Sequence, residues 1–124
     1  MLDASAVLAI LSGEAGAEKL TPRLLSEATV STVNLAEVQG KLVSRGLDPV
    51  DAWEAAVAAI REPEAFTSAQ ARIAGDLVAQ TRQLGLSLGD RACLALGIAL
   101  GAPVYTADRS WKGLRLGIRI HHLR

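Results

Sequence analysis

Residues 87–106 constrain the fold of this chain more than any other stretch. Ser87-Leu88-Gly89-Asp90 matches a capping box, in which a Ser hydroxyl and an acid three residues later each satisfy an orphan N–H at a helix start. The helix it opens runs through Ala92-Cys93-Leu94-Ala95-Leu96 to Leu100 and stops at Gly101. It is apolar almost all round, which predicts a buried helix. Pro103-Val104-Tyr105-Thr106 follows at once and reads as a strand.

The rest of the chain repeats that alternation. Met1-Leu2 is an apolar start, Val30 begins a short extended stretch, and Gly117-Ile118-Arg119-Ile120-His121 reads as a last strand. Between them lie predicted helices. These are Ala4 to Leu11, Glu14 to Leu25 bent around Pro22, Thr32 (as N-cap) to about Arg45, and Asp48-Pro49 to about Arg61. Pro63 breaks that last helix, and Ala65-Phe66 is expected to be extended. Thr67-Ser68-Ala69-Gln70 matches another capping box, for a helix ending near Gly85. Strands separated by helices imply parallel crossovers. The expected fold is therefore α/β: a helix-rich, three-layer α/β/α sandwich with a short, mainly parallel central sheet, formed by residues 1–124 as one domain.

Composition removes several classes of protein. Of 124 residues, 50% are hydrophobic and 21% charged, which excludes a disordered chain. A single cysteine excludes a disulfide framework and a cysteine-built zinc cluster. No apolar run reaches membrane-spanning length, and the N-terminus lacks the basic flank and cleavage pattern of a signal peptide, so a cytoplasmic domain without a membrane partner is expected. The net charge is zero, but it is a cancellation. Residues 1–68 hold ten acids and five bases, whereas residues 69–124 hold eight bases and three acids. Ten of the 13 bases are Arg, whose fork suits bidentate phosphate contact. A solvated basic surface, or one for an acidic protein partner, accounts equally well for the asymmetry.

Four acids come from four different segments. Asp3 and Asp108 follow predicted strands, where ligands of open parallel sheets bind. Glu37 and Asp90 lie near the starts of predicted helices, and Glu37 shares a polar stripe with Asn34 and Lys41 opposite Leu35, Val38 and Leu42. If the four converge, they need a cation to remain ionised together. A hard divalent ion such as Mg²⁺ or Mn²⁺ takes oxygen ligands and stabilises a phosphoryl transition state, so the implied chemistry is phosphodiester hydrolysis by metal-activated water. Each acid also has a local explanation: Asp90 caps its helix, Glu37 pairs with Lys41 at i,i+4, and Asp108 starts a turn. Asp3, within a strongly apolar opening, is the hardest to explain in that way.

The combination is more specific than its parts. Leu2-Asp3-Ala4-Ser5-Ala6 and Ser31-Thr32-Val33-Asn34-Leu35-Ala36-Glu37-Val38 resemble the opening half of the PIN-domain family. Ser87-Leu88-Gly89-Asp90-Arg91-Ala92-Cys93-Leu94-Ala95-Leu96 and Thr106-Ala107-Asp108-Arg109-Ser110-Trp111 resemble its closing half, and the chain is most similar to VapC-type toxins of bacterial toxin–antitoxin pairs. The resemblance implies an α/β/α fold and endoribonuclease activity dependent on one or two Mg²⁺ or Mn²⁺ ions. It also implies homodimerisation, an RNA substrate and a cognate antitoxin. By position, Asp3, Glu37, Asp90 and Asp108 match the family's acidic metal-site residues, with Ser5, Thr106 and Asn34 supporting them. Only Met1 and Leu2 precede Asp3, one or two residues fewer than in many members, which leaves open a native start upstream. The expectation is that this short strand still places Asp3 in the site. The alternative is a PIN-fold RNA- or protein-binding module with weak catalysis or none.

The remaining chemistry-bearing residues are assigned as follows. Arg91, Arg109 and Lys112 are candidates for RNA contact, and Arg91 equally for holding a carboxylate. Asp76 is an outer ligand candidate, or the i+4 partner of Arg72. His121 and His122 should point to opposite faces of a strand and so not serve one site. Cys93 is expected to be a core thiol, and the Trp53, Val57, Ile60 stripe to be core, or else a groove for an antitoxin or second subunit.

Overall fold

The computed structural model describes all 124 residues. Its helices are α1 (Ala4–Ser12), α2 (Pro22–Glu27), α3 (Thr32–Ser44), α4 (Pro49–Ala58), α5 (Ser68–Asp76), α6 (Val78–Thr81) and α7 (Leu88–Leu100). The strands are β1 (Thr29–Ser31), β2 (Glu62–Glu64), β3 (Val104–Thr106) and β4 (Ile120–His122). No helix is long and apolar enough to cross a membrane.

Two parallel pairs, β1 with β2 and β3 with β4, make up the sheet. Leu2 joins them: its N–H donates to the Thr29 carbonyl at 3.0 Å, and it forms a parallel bridge with Tyr105. The expected first strand is thus reduced to one bridging residue. That is sufficient, because Leu2 is fully buried and the Asp3 N–H bonds the Tyr105 carbonyl at 3.1 Å.

Helices cover the strands on both faces, as an α/β/α sandwich requires. One core cluster joins Val7 and Ala9 of α1, Leu35 and Val38 of α3, and Ala52 and Ala56 of α4 to Leu2 and Val30. The other joins Leu77, Cys93, Leu94, Val104 and Trp111. Helix α7 is buried from Ala92 to Gly97, as its apolar circumference predicts. Gly97 has a packing reason: a Cβ there would meet Val104 and Ile118.

Several boundaries differ from expectation, each for a local reason. The proposed helix from Glu14 to Leu25 is a turn of 3₁₀ helix at Ala17–Lys19 and then α2, with Pro22 at its first position and the Thr21 hydroxyl as cap. Ser31, not Thr32, caps α3. Helix α4 ends at Ala58, and the extended segment after it is Glu62–Glu64 rather than Ala65-Phe66. Pro63 is accommodated because β2 is an exposed edge strand. The expected helix from Ser68 to Gly85 breaks at Leu77, whose carbonyl accepts 2.8 Å from the Thr81 hydroxyl, a back-bond that bends helices. Its capping box is half formed, since Thr67 caps Gln70 N–H but Gln70 Oε1 is buried without a partner. Finally, the Trp53, Val57, Ile60 stripe is core only in part: Val57 and Ile60 are half-buried and pack against the core, whereas Trp53 does not. Ala52 and Ala56 form the buried face of α4, leaving Trp53 43% exposed, and the buried aromatic is Trp111.

Candidate active site

The site lies at the carboxyl ends of the central strands. Asp3 follows the Leu2 bridge and serves as N-cap of α1, accepting 2.8 Å from the Ala6 N–H. Thr106, the last residue of β3, donates its hydroxyl to Asp3 Oδ2 at 2.6 Å. The Ser5 hydroxyl reaches Asp3 Oδ1 at 2.7 Å and Oδ2 at 2.9 Å. Both hydroxyls are oriented from behind, because Ser5 Oγ accepts 2.9 Å from Ala107 N–H and Thr106 Oγ1 accepts 3.0 Å from Asp108 N–H. Each hydroxyl has a single proton, so both protons go to Asp3.

Asp3 is thus a buried carboxylate, 1% exposed, fixed in orientation. The short first strand places it in the lining of an open cavity. Burial pushes its pKa up to about 6, outweighing the lowering effect of Thr106, Ser5 and Ala6, and the nearby Asp90 charge adds to the rise. Three protons point at about four lone-pair positions, leaving one acceptor position for a ligand.

The other three acids share one pattern: each has one oxygen held by a donor and one without a protein partner. Asp90 Oδ2 accepts 2.9 Å from Ser87 N–H, completing the capping box of α7. Asp108 Oδ1 accepts 2.8 Å from Ser110 N–H and starts a 3₁₀ turn at Arg109–Trp111. Glu37 Oε2 accepts 3.1 Å from Asn34 Nδ2, which also donates 2.9 Å to the Gly89 carbonyl. Two acceptors flank that amide nitrogen, so Asn34 cannot be flipped without facing oxygen to oxygen. The Glu37 carboxylate occupies the space a Cβ at 89 would take, so a side chain there would displace that carboxylate.

The local explanations for these acids therefore coexist with the shared site. Asp90 caps and Asp108 turns, yet both line one open cavity of about 420 Å³ with Asp3, Ser5 and Glu37. Glu37 and Lys41 make no ion pair. The cavity is also lined by Glu14, Lys41 and Arg45, of which the sequence pattern puts only Lys41 on the Glu37 stripe. Arg45, the residue just past the end of α3, has no local sequence signal that marks it for the cavity.

Other candidates lie elsewhere. Asp76 is exposed, outside the cavity and unpaired with Arg72, so neither expectation for it is met. Arg91 holds no carboxylate; its guanidinium donates 2.9 Å to the Ala74 carbonyl, tying α7 to α5. Arg109 and Lys112 are exposed outside the cavity lining. His121 stacks on Tyr105 at 4.7 Å and His122 is half-buried, and neither lines the cavity. Cys93 is fully buried, and burial pushes its thiol pKa well up, which leaves it un-ionised and inert.

No three His, Cys, Asp or Glu side chains are drawn together as a ready cage for an ion. The donor chemistry nevertheless fits a hard divalent cation, since every available ligand is a carboxylate oxygen and none of the four acids has a cationic partner within 4 Å.

The PIN domain family matches residues 1–115. The chain belongs to that family. Among solved structures, this PIN domain is similar in fold to VapBC2 from Rickettsia felis bound to a DNA fragment from their promoter, with a TM-score of 0.73 and 20% identity over 98% of this chain and 96% of that one. It is also similar to PAE2754 from Pyrobaculum aerophilum, with a TM-score of 0.60 and 13% identity over 96% of this chain and 87% of that one. No curated protein sequence matches this PIN domain.

Proposed function

We propose that this PIN domain is a divalent-metal-dependent endoribonuclease acting in the cytoplasm as the toxin of a toxin–antitoxin pair, and that it works as a homodimer restrained by a cognate antitoxin. One observation carries the catalytic part. Asp3, Glu37, Asp90 and Asp108 line one cavity, and the last three each keep one oxygen held and one without a partner. A binding module that only met RNA would gain nothing from concentrating negative charge there.

The four acids would hold one or two Mg²⁺ or Mn²⁺ ions, which when bound supply Lewis acidity and water activation at neutral pH. The protein's own part is preorganisation. Ser5 and Thr106 fix Asp3, Asn34 fixes Glu37, and Ser87 and Ser110 N–H groups fix Asp90 and Asp108. With its pKa about 6, Asp3 is mostly ionised at neutral pH. The similarity in fold to VapBC2 supports the toxin–antitoxin setting.

The test is cleavage of RNA with Mg²⁺ or Mn²⁺, beside EDTA, Asp3→Asn and Asp90→Asn controls. Cleavage is expected only for the unsubstituted protein with metal. Undiminished cleavage by the variants would assign the activity to other residues or to a contaminant. Metal-independent RNA binding with no cleavage would favour the binding module.

A further inference from the structure

The cavity contains two cations that the mechanism above does not use. Lys41 on α3 and Arg45 at its C-cap stand four and eight residues beyond Glu37 and line the same space as five carboxylates. Neither is within 4 Å of any of them, because the protein's one ion pair is Arg124 with Glu14 at 3.1 Å. Lys41 makes no side-chain hydrogen bond, and Arg45 only a long 3.4 Å contact to Ser12 Oγ. Both side chains are exposed and keep their donors for a ligand.

The surroundings specify an anion. Glu14 is the lining acid outside the catalytic four, and Arg124 neutralises it while also holding the Ala15 carbonyl at 3.2 Å. With Glu14 paired, Lys41 and Arg45 are the two cations of the cavity lining that have no carboxylate partner. Four residues of helix advance about 6 Å, comparable to the step between successive phosphates of an extended strand. Arg offers a fork to phosphate and Lys a point charge.

We propose that Lys41 and Arg45 bind two phosphates of single-stranded RNA flanking the bond that is cut, making α3 both a ligand-bearing and a substrate-guiding helix. This rests on the ribonuclease reading. It moves the RNA contacts from Arg91, Arg109 and Lys112, which lie off the cavity lining, to the wall that adjoins Glu37.

Salt dependence of RNA binding tests the proposal. A short mixed-sequence single-stranded RNA is titrated in Mg²⁺ over a range of KCl, with Asp90→Asn as the non-cleaving parent. Against the parent, Lys41→Ala with Arg45→Ala should reduce the slope of log affinity against log salt by about 1.4, or about 0.7 per lost phosphate contact. Lys41→Arg with Arg45→Lys should keep the parent slope, and Arg23→Ala on α2, outside the cavity, should also leave it unchanged. An unchanged slope in the double alanine variant overturns the proposal, as does a parent that binds no RNA. If the alanine pair misfolds, the single variants decide: each is expected to lose about half the effect, and no loss in either overturns it. Absence of cleavage by the unsubstituted protein, with the slope change present, would remove the ribonuclease reading and leave the phosphate contacts standing.

Discussion

The Thr106 hydroxyl donates a 2.6 Å hydrogen bond to Asp3 Oδ2 across 103 residues of sequence. Because Thr106 is fully buried and its oxygen also accepts from Asp108 N–H, it holds the first acid and the backbone of the fourth in one frame.

Thr106→Val removes that bond while keeping the shape, leaving Asp3 Oδ2 only the Ser5 hydroxyl at 2.9 Å and the Asp108 N–H without its side-chain acceptor. Unfolding in urea at pH 7 should show a loss of about 1–3 kcal/mol, the cost of buried partners left unpaired. Thr106→Ser should recover most of it. Equal stability of the Val variant and the wild type would mean that the hydroxyl carries no such weight.

Asp3 predicts an opposition between stability and activity. Its folded pKa of about 6 lies above the ordinary aspartate value of 3.8. Between those values the folded state holds a proton that the unfolded state has released. The associated stability is fully present below pH 3.8 and is lost as pH rises through about 6. The loss is on the order of 3 kcal/mol. In EDTA, the stability of Asp3→Asn relative to wild type should therefore be highest at pH 8 and fall toward pH 4, offset at every pH by the amide nitrogen that cannot accept the hydroxyl protons aimed at Asp3, while RNA cleavage is abolished. Saturating Mg²⁺ should then raise the melting temperature of wild type, by about 2.7 kcal/mol in stability at 100 times the dissociation constant, and leave the variant nearly unmoved. A variant destabilised equally at both pH values would contradict the burial argument.

Much of this arrangement was legible in the sequence because each acid sits at a landmark. Asp3 follows the apolar start, Asp90 completes a capping box, and Asp108 starts the turn two residues after a strand. What could not be read depends on how elements cross. Whether the late turns of α3 face the cavity is decided by packing against α1 and α4, so Arg45 carried no local signal. The edge strand at Pro63 was hidden by a residue that normally argues against strand. Trp53 was misplaced because stripes along an Ala-rich helix differ little in hydrophobicity, and Ala52 and Ala56 are buried through their small size, which lets α4 approach closely.

Gly89→Ala isolates the close approach between α7 and Glu37. At an open helical site the change would stabilise by about 1 kcal/mol. Here the new methyl group meets the Glu37 carboxylate, so the expected result is no gain in stability and at least a tenfold loss of metal-dependent cleavage. In a Glu37→Ala background the same substitution should recover its favourable helix effect. A double-mutant cycle with no coupling would show that the two residues do not compete for space.

Asn34→Asp tests whether the amide nitrogen positions Glu37. The substitution keeps size and shape but replaces a donor flanked by Glu37 Oε2 and the Gly89 carbonyl with an acceptor. Asn34 is 1% exposed, so an ionised carboxylate there is buried beside a like charge and an unpaired carbonyl. The expected penalty at pH 7 is about 3–5 kcal/mol, comparable to breaking a buried charged pair. It should fall as pH is lowered, because the folded variant takes up a proton that restores a donor. Asn34→Ala, which has no charge to bury, should be less destabilised at pH 7 and show no such recovery in acid. Chemical denaturation of both variants from pH 4 to pH 8 separates these outcomes, and parallel curves would rule out the donor role of Asn34.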